Sequence, residues 1–374
     1  MLANQSHTIT SDFVRSNPIG ALGAKRLASS SLPIIDIGPL FGSNDELKRR
    51  VAGEIGEAAR EIGFFYIKNH TIEPSMIDEA YAQAERFFEL SLSEKLAYYI
   101  GNSPNHRGYV PQSERGTYAD EQGERHYEAF DLALDLPEDD PDVLRGSPLL
   151  GPNVWPHLLG FKQRISAYYN AVANLGKVLS QAFELHLGLQ SGDLQQYMTK
   201  PTSQLRLLHY LANNAPMTTT DMNMGAHTDY ECFTILHQQK SGLQVMNANN
   251  EWIEAPPIDG TYVINIGDML ETWSNGAFKS TLHRVVNNGH ERYSMPFFVA
   301  ANYDAKIKPL ETVISNASPP KYTNIVAGHH LLSQLLRDFN YLRKRFETGE
   351  LKLPFAIPNG NPFEQKLPEP QVVH

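Results

Sequence analysis

After Pro201 the chain consists of short β-prone runs separated by turn-forming Gly, Asn and Asp residues, and this feature constrains the fold more than any other. The runs lie at Gln204–Leu211, Tyr230–Gln238, Leu243–Met246, Trp252–Glu254, Tyr262–Ile266, Leu282–Val286 and Tyr293–Ala301. Such regular spacing predicts an antiparallel β-sandwich or barrel.

Helical patterns flank these runs. Apolar residues recur at helical spacing over Asn44–Ile62, Pro74–Leu92, Trp155–Leu187 and Thr323–Phe346. Further short strands are predicted at Leu32–Ile37, Phe64–Lys68 and Tyr127–Leu134, the last within a stretch from Asn102 to Leu150 that otherwise reads as loop. The fold class expected from this order is therefore α+β.

A His-x-Asp pair lies in the stretch Gly225–Tyr230 (GAHTDY). In extended backbone, residues two apart point the same way, so His227 and Asp229 would present an imidazole and a carboxylate together. The pair alone is also compatible with a histidine that merely hydrogen-bonds its neighbour.

A second element strengthens the metal interpretation. Asn288-Gly289 between two β-prone runs predicts a two-residue hairpin turn, which would place Ser294 opposite His283 and Arg292 opposite Val285. His283, Arg292 and Ser294 would then share one face. Two His and one carboxylate leave open positions on a ferrous ion, and an adjacent Arg fork suits a small carboxylate co-substrate.

The amino-acid composition limits the kinds of partner that we expect the protein to bind. The formal net charge is −10, from 32 basic and 42 acidic residues without a long Lys/Arg run, which argues against nucleic acid. No apolar run reaches membrane-spanning length. The single cysteine, Cys232, forms no internal disulfide, fits a reducing compartment and is expected to pack as a small apolar residue, so we expect a cytoplasmic protein. The sequence does not indicate the oligomeric state.

Several ordered motifs together resemble the isopenicillin N synthase-like family of 2-oxoglutarate/Fe(II)-dependent dioxygenases, over roughly residues 32–305. They are Leu32–Gly38 (LPIIDIG), Gly63–His70 (GFFYIKNH), Gly151–Pro156 (GPNVWP), Leu205–Tyr210 (LRLLHY), the HTDY stretch, Asn265–Met269 (NIGDM) and Arg292–Ser294 (RYS). The resemblance implies a double-stranded β-helix, or jelly-roll, core with flanking helices.

The resemblance also implies roles for individual residues. His227, Asp229 and His283 match the metal-binding facial triad, and Arg292, Ser294 and Tyr210 match residues that hold 2-oxoglutarate. Phe298 matches a position that often lines the substrate pocket, although a sheet-core Phe is an equal alternative. The implied cofactors are Fe(II), 2-oxoglutarate and O2. The implied reaction oxidises, most often hydroxylates, an unactivated C–H of a small metabolite and releases succinate and CO2; desaturation and ring closure are further outcomes.

Three other functions stay open at this point. An oxidase or cyclase of the isopenicillin N synthase type would use the same triad without 2-oxoglutarate, and Arg292 would hold the substrate's carboxylate. The same ligands could bind zinc for hydrolysis, although no Glu is placed as a general base. A non-catalytic sandwich would bind a ligand or partner.

The expected organisation has four segments. Residues 1–31 form a loose N-terminal arm with a faint resemblance to a transit segment, and residues 32–200 form a mostly helical dioxygenase N-terminal region. Residues 201–305 form the β core, and residues 306–374 form a C-terminal helix and tail that pack on it. Arg107, Tyr109, Arg125 and Tyr127 are candidate substrate contacts, with solvated loop positions the favoured alternative.

Overall fold

Two β-sheets dominate the computed structural model of the protein, which describes residues 32–114, 126–212, 222–286 and 289–357. The larger sheet has eight strands in the order β1-β2-β10-β7-β12-β5-β4-β3, and the smaller has four in the order β6-β11-β8-β9. Residues of both sheets line one cavity. The predicted N-terminal arm and the end of the C-terminal tail lie outside the described residues.

The strands are short, and nearly all pair antiparallel; β1 and β2 are parallel. Their bounds are β1 Ile34–Asp36, β2 Phe64–Lys68, β3 Gly108–Val110, β4 Tyr127–Ala133, β5 Gln204–Tyr210, β6 Met222–His227, β7 Phe233–Gln238, β8 Leu243–Met246, β9 Trp252–Glu254, β10 Thr261–Ile266, β11 His283–Val286, β12 Arg292–Val299, β13 Lys306–Ile307 and β14 Ile325–Val326. The last two form a separate two-stranded sheet.

Eight α-helices occur in the described ranges: α1 Asp45–Glu61, α2 Pro74–Phe88, α3 Leu92–Leu96, α4 Pro141–Leu144, α5 Phe161–His186, α6 Asp268–Trp273, α7 Ala327–Asp338 and α8 Asn340–Glu347. The Asn44 side chain accepts hydrogen bonds from the N–H groups of Glu46 and Leu47, which caps α1. None of the helices in the described part of the chain is long and apolar enough to cross a membrane.

The main core lies between the larger sheet and the helices α1, α2 and α5. Val51 and Ile55 of α1, Phe87 of α2 and Phe183 of α5 belong to one buried cluster that includes Ile235 of β7. A second cluster packs α7 against β4 and β5. The apolar stripes read from the sequence thus face the sheet, and the α+β jelly-roll expectation is confirmed.

Three predicted helices have different bounds. The predicted Trp155–Leu187 helix begins only at Phe161, because Gly160 is in the left-handed region with φ 82° and precedes the first helical turn. The Pro74–Leu92 helix ends at Phe88. The Thr323–Phe346 helix is split into α7 and α8, because Phe339 has extended backbone with φ −123° and ψ 116°.

The predicted hairpin is wrong. Strand β11 pairs with β6 and β8 in the smaller sheet, whereas β12 pairs with β5 and β7 in the larger one. Ser294 therefore lies opposite Leu208 and Gln238 rather than His283. Asn287 and Asn288 lie outside the described residues. The chain between β11 and β12 crosses from one sheet to the other. Burial of both strands in the two-sheet structure outweighs the local preference for a hairpin turn.

Candidate active site

Three metal-ligand side chains meet where β6 and β11 pair. His227 is the last residue of β6 and lies opposite His283, the first residue of β11. Asp229 lies two residues after the end of β6. The sequence had suggested extended backbone for both residues, but Asp229 lies outside the strand. Asp229 Oδ1 lies 3.8 Å from His227 Nε2 and 3.5 Å from His283 Nε2. One ligand atom from each residue lies within 4.8 Å of the others.

Backbone carbonyls orient both imidazoles. His227 Nδ1 is 2.7 Å from the carbonyl oxygen of Gly225, and His283 Nδ1 is 3.2 Å from that of Thr281. A carbonyl oxygen only accepts hydrogen bonds, so each Nδ1 carries the proton and donates it. In the neutral imidazole each Nε2 then carries the lone pair and lies towards the cluster, as a metal ligand requires.

Asp229 is held by polar side chains of the sheet core. Its Oδ2 accepts hydrogen bonds from Asn265 at 2.7 Å and from Thr234. Burial raises the pKa of Asp229, but the neighbouring His283 and His227 and the two hydrogen bonds outweigh it and bring the pKa below its usual value. The carboxylate is therefore ionised at neutral pH, with Oδ1 left for a metal.

His227 is also in the form that binds a metal. Burial, followed by the nearby His283, lowers the pKa of His227 to about 4, so this imidazole is neutral at pH 7. Two histidines and one carboxylate are the donor set of non-haem Fe(II) oxygenases. The residues present fit a ferrous ion.

Arg292, Ser294 and Tyr210 form a second cluster in the same cavity. Arg292 and Ser294 alternate along β12, and Tyr210 on β5 lies opposite Arg292. The Arg292 guanidinium carbon lies 3.7 Å above the Tyr210 ring, and the Tyr210 hydroxyl is hydrogen-bonded to Ser294 and Arg292. All three residues predicted for the co-substrate are thus brought together, although by β5 and β12 rather than by a hairpin.

The Arg292 guanidinium is buried and incompletely bonded. The residue is 3% exposed, and burial lowers its pKa. Among the described residues, none accepts a hydrogen bond from its Nε or Nη2. A buried cation with unused donors is costly unless an anion supplies the missing acceptors, and a carboxylate matches such a fork.

Gly242 makes room for this guanidinium. A Cβ at Gly242 would lie 2.7 Å from Arg292 Cζ, well inside contact distance. No local pattern singles out this glycine, because its role depends on the close approach of β12 to the start of β8.

The rest of the cavity extends from the triad towards α7. Phe298, which the resemblance matched to a position lining the substrate pocket, lies in the wall of this cavity. The wall also includes residues that sequence reasoning missed, namely Gln204, Arg206, Glu231, Leu335, Asp338 and Phe339. Those of α7 are remote in sequence from the triad, and no local pattern could have connected them with it.

Three of the four candidate substrate contacts of the N-terminal region, Arg107, Tyr109 and Tyr127, are buried and are not part of this wall. Arg107 donates hydrogen bonds to the carbonyl oxygens of Asn105, His106 and Leu149, and Tyr109 donates to Glu128. Tyr127 is fully buried against Tyr210. Arg125 lies outside the described residues.

Cys232 is free and buried, as expected of a packed apolar residue, and burial raises the pKa of its thiol.

Two family models match the chain and together cover most of it. Residues 32–158 match the N-terminal region described as "non-haem dioxygenase in morphine synthesis", and residues 201–301 match the 2OG-Fe(II) oxygenase superfamily.

Individual relatives agree with this match. The chain is 35% identical to homoarginine-6-hydroxylase 2-ODD-C23 of Glycine max over 83% of this chain and 98% of the relative. A 2OG-Fe(II) oxygenase family protein of Caulobacter crescentus superimposes with a TM-score of 0.71 at 28% identity, covering 86% of this chain and 100% of that chain. Neurospora crassa T7H, solved with alpha-KG and thymine, gives a TM-score of 0.70 at 27% identity over 88% and 99% of the two chains.

Proposed function

Because the chain belongs to the 2-oxoglutarate/Fe(II) oxygenase superfamily, we propose that His227, Asp229 and His283 hold its Fe(II). The protein is an oxidoreductase that uses Fe(II), 2-oxoglutarate and O2 to oxidise a C–H bond of a small molecule. When bound, the iron with O2 couples decarboxylation of 2-oxoglutarate to succinate and CO2 with this oxidation. The donor set and its burial support the assignment of these three residues.

Arg292, Ser294 and Tyr210 are proposed to hold the carboxylate of 2-oxoglutarate remote from the metal. The observation that carries this proposal is the pair of unused donors, Nε and Nη2, on a buried guanidinium in the cavity of the triad. The Ser294 and Tyr210 hydroxyls add neutral donors beside the guanidinium. Bidentate binding would fix the co-substrate's orientation, which is the protein's main contribution to the reaction.

Groups next to the triad orient the proposed ligands. The backbone carbonyls of Gly225 and Thr281 keep the protons of the two imidazoles on Nδ1, and Asn265 with Thr234 keeps Asp229 ionised and in place. Phe298 is proposed to contact the substrate from the apolar wall.

The substrate is proposed to be a small metabolite that is hydroxylated. Support comes from the cavity that both sheets and α7 line beside the triad, and from the relative named for hydroxylation of homoarginine. The division of the chain into segments 1–31, 32–200, 201–305 and 306–374 remains a proposal.

A cytoplasmic location is proposed because the chain has a single cysteine and therefore no internal disulfide. No nucleic-acid or membrane partner is proposed for this acidic chain.

The proposal is tested by replacing the triad. His227→Ala, Asp229→Ala and His283→Ala should each weaken Fe(II) binding by more than about a hundredfold, because loss of a ligand exceeds the effect of a supporting residue. Each should also abolish succinate formation from 2-oxoglutarate. Equilibrium dialysis of Fe(II) and chromatographic detection of succinate measure the two effects.

His157→Ala, at an exposed histidine, is the matched control and should behave as the unsubstituted protein. Full activity in any one of the three triad variants would contradict the assignment of that residue.

A further inference from the structure

One wall of the cavity is formed by alternate residues of β5, since residues two apart in a strand point to the same face of the sheet. The residues of this row are Gln204, Arg206, Leu208 and Tyr210. Tyr210, at one end of the row, belongs to the proposed 2-oxoglutarate site. Arg206 precedes it by four residues, which corresponds to roughly 13 Å along a strand. Arg206 therefore lies in the part of the cavity that is left for the substrate.

Arg206 is bound to Asp131 through one edge of its guanidinium. Its Nε and Nη2 donate to the two carboxylate oxygens of Asp131 at 2.7 and 2.8 Å, and Asp131 lies opposite it on β4. Asp131 is fully buried, whereas 13% of the Arg206 side chain is exposed. Burial alone would lower the pKa of Arg206, but Asp131 outweighs this effect and raises the pKa above its usual value. The guanidinium therefore stays charged and in place.

The remaining nitrogen of this guanidinium is unused. Nη1 carries two N–H groups, and the planar guanidinium holds it outside the edge that faces Asp131. Both hydrogen bonds that Arg206 makes within the described ranges go to Asp131, so Nη1 donates to none of the described residues. Because Arg206 lines the cavity and Asp131 does not, these two N–H groups are available to a ligand there.

Gln204 adds a second unused donor on the same face of β5. The residue is 7% exposed, and its Nε2 has no hydrogen-bond partner among the described residues. A buried amide N–H without an acceptor costs free energy, and a ligand that supplies the acceptor removes this cost. Two side chains at the same end of the row thus lack an acceptor.

Two aromatic rings flank the guanidinium of Arg206. Its central carbon lies 5.9 Å from the ring centre of Phe298 and 5.8 Å from that of Phe339. Phe298 belongs to β12 and Phe339 lies between α7 and α8, and both line the cavity. A flat group that accepts a hydrogen bond from Nη1 can also pack against these rings.

We propose that Arg206 and Gln204 form a donor pair that binds an uncharged carbonyl oxygen of the substrate. The carbonyl is carried on a flat group that contacts Phe298 and Phe339. The inference rests on the proposed function, because it assigns the part of the cavity left for the substrate. Asp131 already matches the charge of Arg206, so a neutral acceptor satisfies the donors without adding an uncompensated negative charge.

Ligands that differ only at the carbonyl test the donor pair. The flat ketones are acetophenone and 1-indanone, and their partners, α-methylstyrene and 1-methyleneindane, carry a methylene group in place of the oxygen. Ligand-observed NMR measures the affinities on the full chain loaded with Fe(II) and 2-oxoglutarate without O2, so that no turnover occurs. At least one ketone should bind roughly ten- to a hundredfold more tightly than its alkene, as a hydrogen bond from a charged donor predicts.

Arg206→Lys should remove this preference, because a single ammonium pairs with Asp131 and leaves no second edge for the ligand. Gln204→Met should reduce it, because methionine keeps the length of the side chain but has no donor. Retained binding of 2-oxoglutarate shows that a variant is folded. Arg284→Lys, at a buried arginine outside the cavity wall, is the matched control and should keep the preference.

Three results would overturn the donor pair. The first is that no ketone binds more tightly than its alkene, and the second is an unchanged preference in both Arg206→Lys and Gln204→Met. The third is tighter binding of benzoate than of acetophenone, because the site would then recognise an anion. A protein that fails to bind 2-oxoglutarate at all would instead contradict the proposed function, so the two failures are distinguishable.

Discussion

Gly242 shows how a single residue without a functional group can control the proposed co-substrate site. Its missing Cβ leaves space for the guanidinium of Arg292, since that Cβ would lie 2.7 Å from Cζ. In Gly242→Ala the guanidinium must move, so affinity for 2-oxoglutarate should fall roughly tenfold or more while Fe(II) binding is retained. Calorimetry with 2-oxoglutarate and dialysis with Fe(II) measure the two quantities.

Gly260→Ala is the control for backbone strain alone. Gly260 has φ +69° but no atom within 4 Å of its Cβ position, so its substitution strains the turn without touching the site. Equal losses of 2-oxoglutarate affinity in both variants would contradict the steric explanation.

Among individual residues, sequence reasoning selected those with distinctive chemistry. It missed the residues that hold them in position. His227, Asp229 and His283 could be selected because few residue types bind iron, and Arg292 because its fork suits a carboxylate. Thr234 and Asn265 are ordinary residues of buried strands, and only the packing of β7 and β10 brings them to Asp229.

At the scale of the strands, β11 and β12 belong to different sheets. Tyr293 on β12 lies opposite His209 on β5, and their rings stack with centroids 4.5 Å apart. In the hairpin register, Tyr293 would instead lie opposite Arg284. Cysteines at Tyr293 and His209 should therefore form a disulfide on mild oxidation, because antiparallel partners have Cα atoms about 4.5–5.5 Å apart.

Cysteines at Tyr293 and Arg284 are the comparison and should stay reduced. Non-reducing electrophoresis or mass spectrometry of tryptic peptides distinguishes the pairs. A disulfide that forms only between positions 293 and 284 would contradict the two-sheet pairing and support the hairpin register.

The hairpin was predicted because Asn-Gly is a strong local signal, and local signals carry no information about which sheet a strand joins. Most strand positions were nevertheless predicted, since alternation and turn residues mark them directly; β8 and β9 were predicted to the residue. Strands β3, β6, β13 and β14 were missed. Three of them, β3, β13 and β14, have only two or three residues, and Gly225 interrupts the β-prone character of β6.

The whole molecule should lose stability in mild acid when metal-free. Burial, followed by the nearby His70, lowers the pKa of His237 from 6.5 to about 4. Between these values the unfolded chain binds the proton more tightly than the folded chain, so the free energy of unfolding falls as pH falls from 6.5 to about 4. His237 alone should account for roughly 1–3 kcal/mol of this loss.

Denaturant unfolding at a series of pH values measures this loss, and His237→Gln supplies the control. Glutamine does not titrate, so the variant should lose less stability over the same pH interval. Parallel curves for the two proteins would exclude His237 as a source of the acid sensitivity. His237 is partly buried, and its Nδ1 lies 2.9 Å from the Tyr81 hydroxyl.

The overall architecture could be inferred because short strands between helices permit few packed arrangements, and the ordered motifs select one of them. The substrate side of the cavity could not be inferred from the sequence. Leu335 and Asp338 of α7 line it, although they follow Asp229 by more than a hundred residues. This proximity results from the packing of α7 on β4 and β5, and no local sequence pattern predicts it.

The central claim is that a buried guanidinium in the cavity of the metal triad receives 2-oxoglutarate. Its most direct test is the affinity of Arg292→Lys for 2-oxoglutarate, measured by calorimetry with Fe(II) and without O2. Lysine keeps the charge but loses the fork, so affinity should fall roughly ten- to a hundredfold. Arg284→Lys, at a buried arginine stacked on Trp252 outside this cavity, should bind 2-oxoglutarate as the unsubstituted protein does. An unchanged affinity in Arg292→Lys, or equal losses in both variants, would contradict the account.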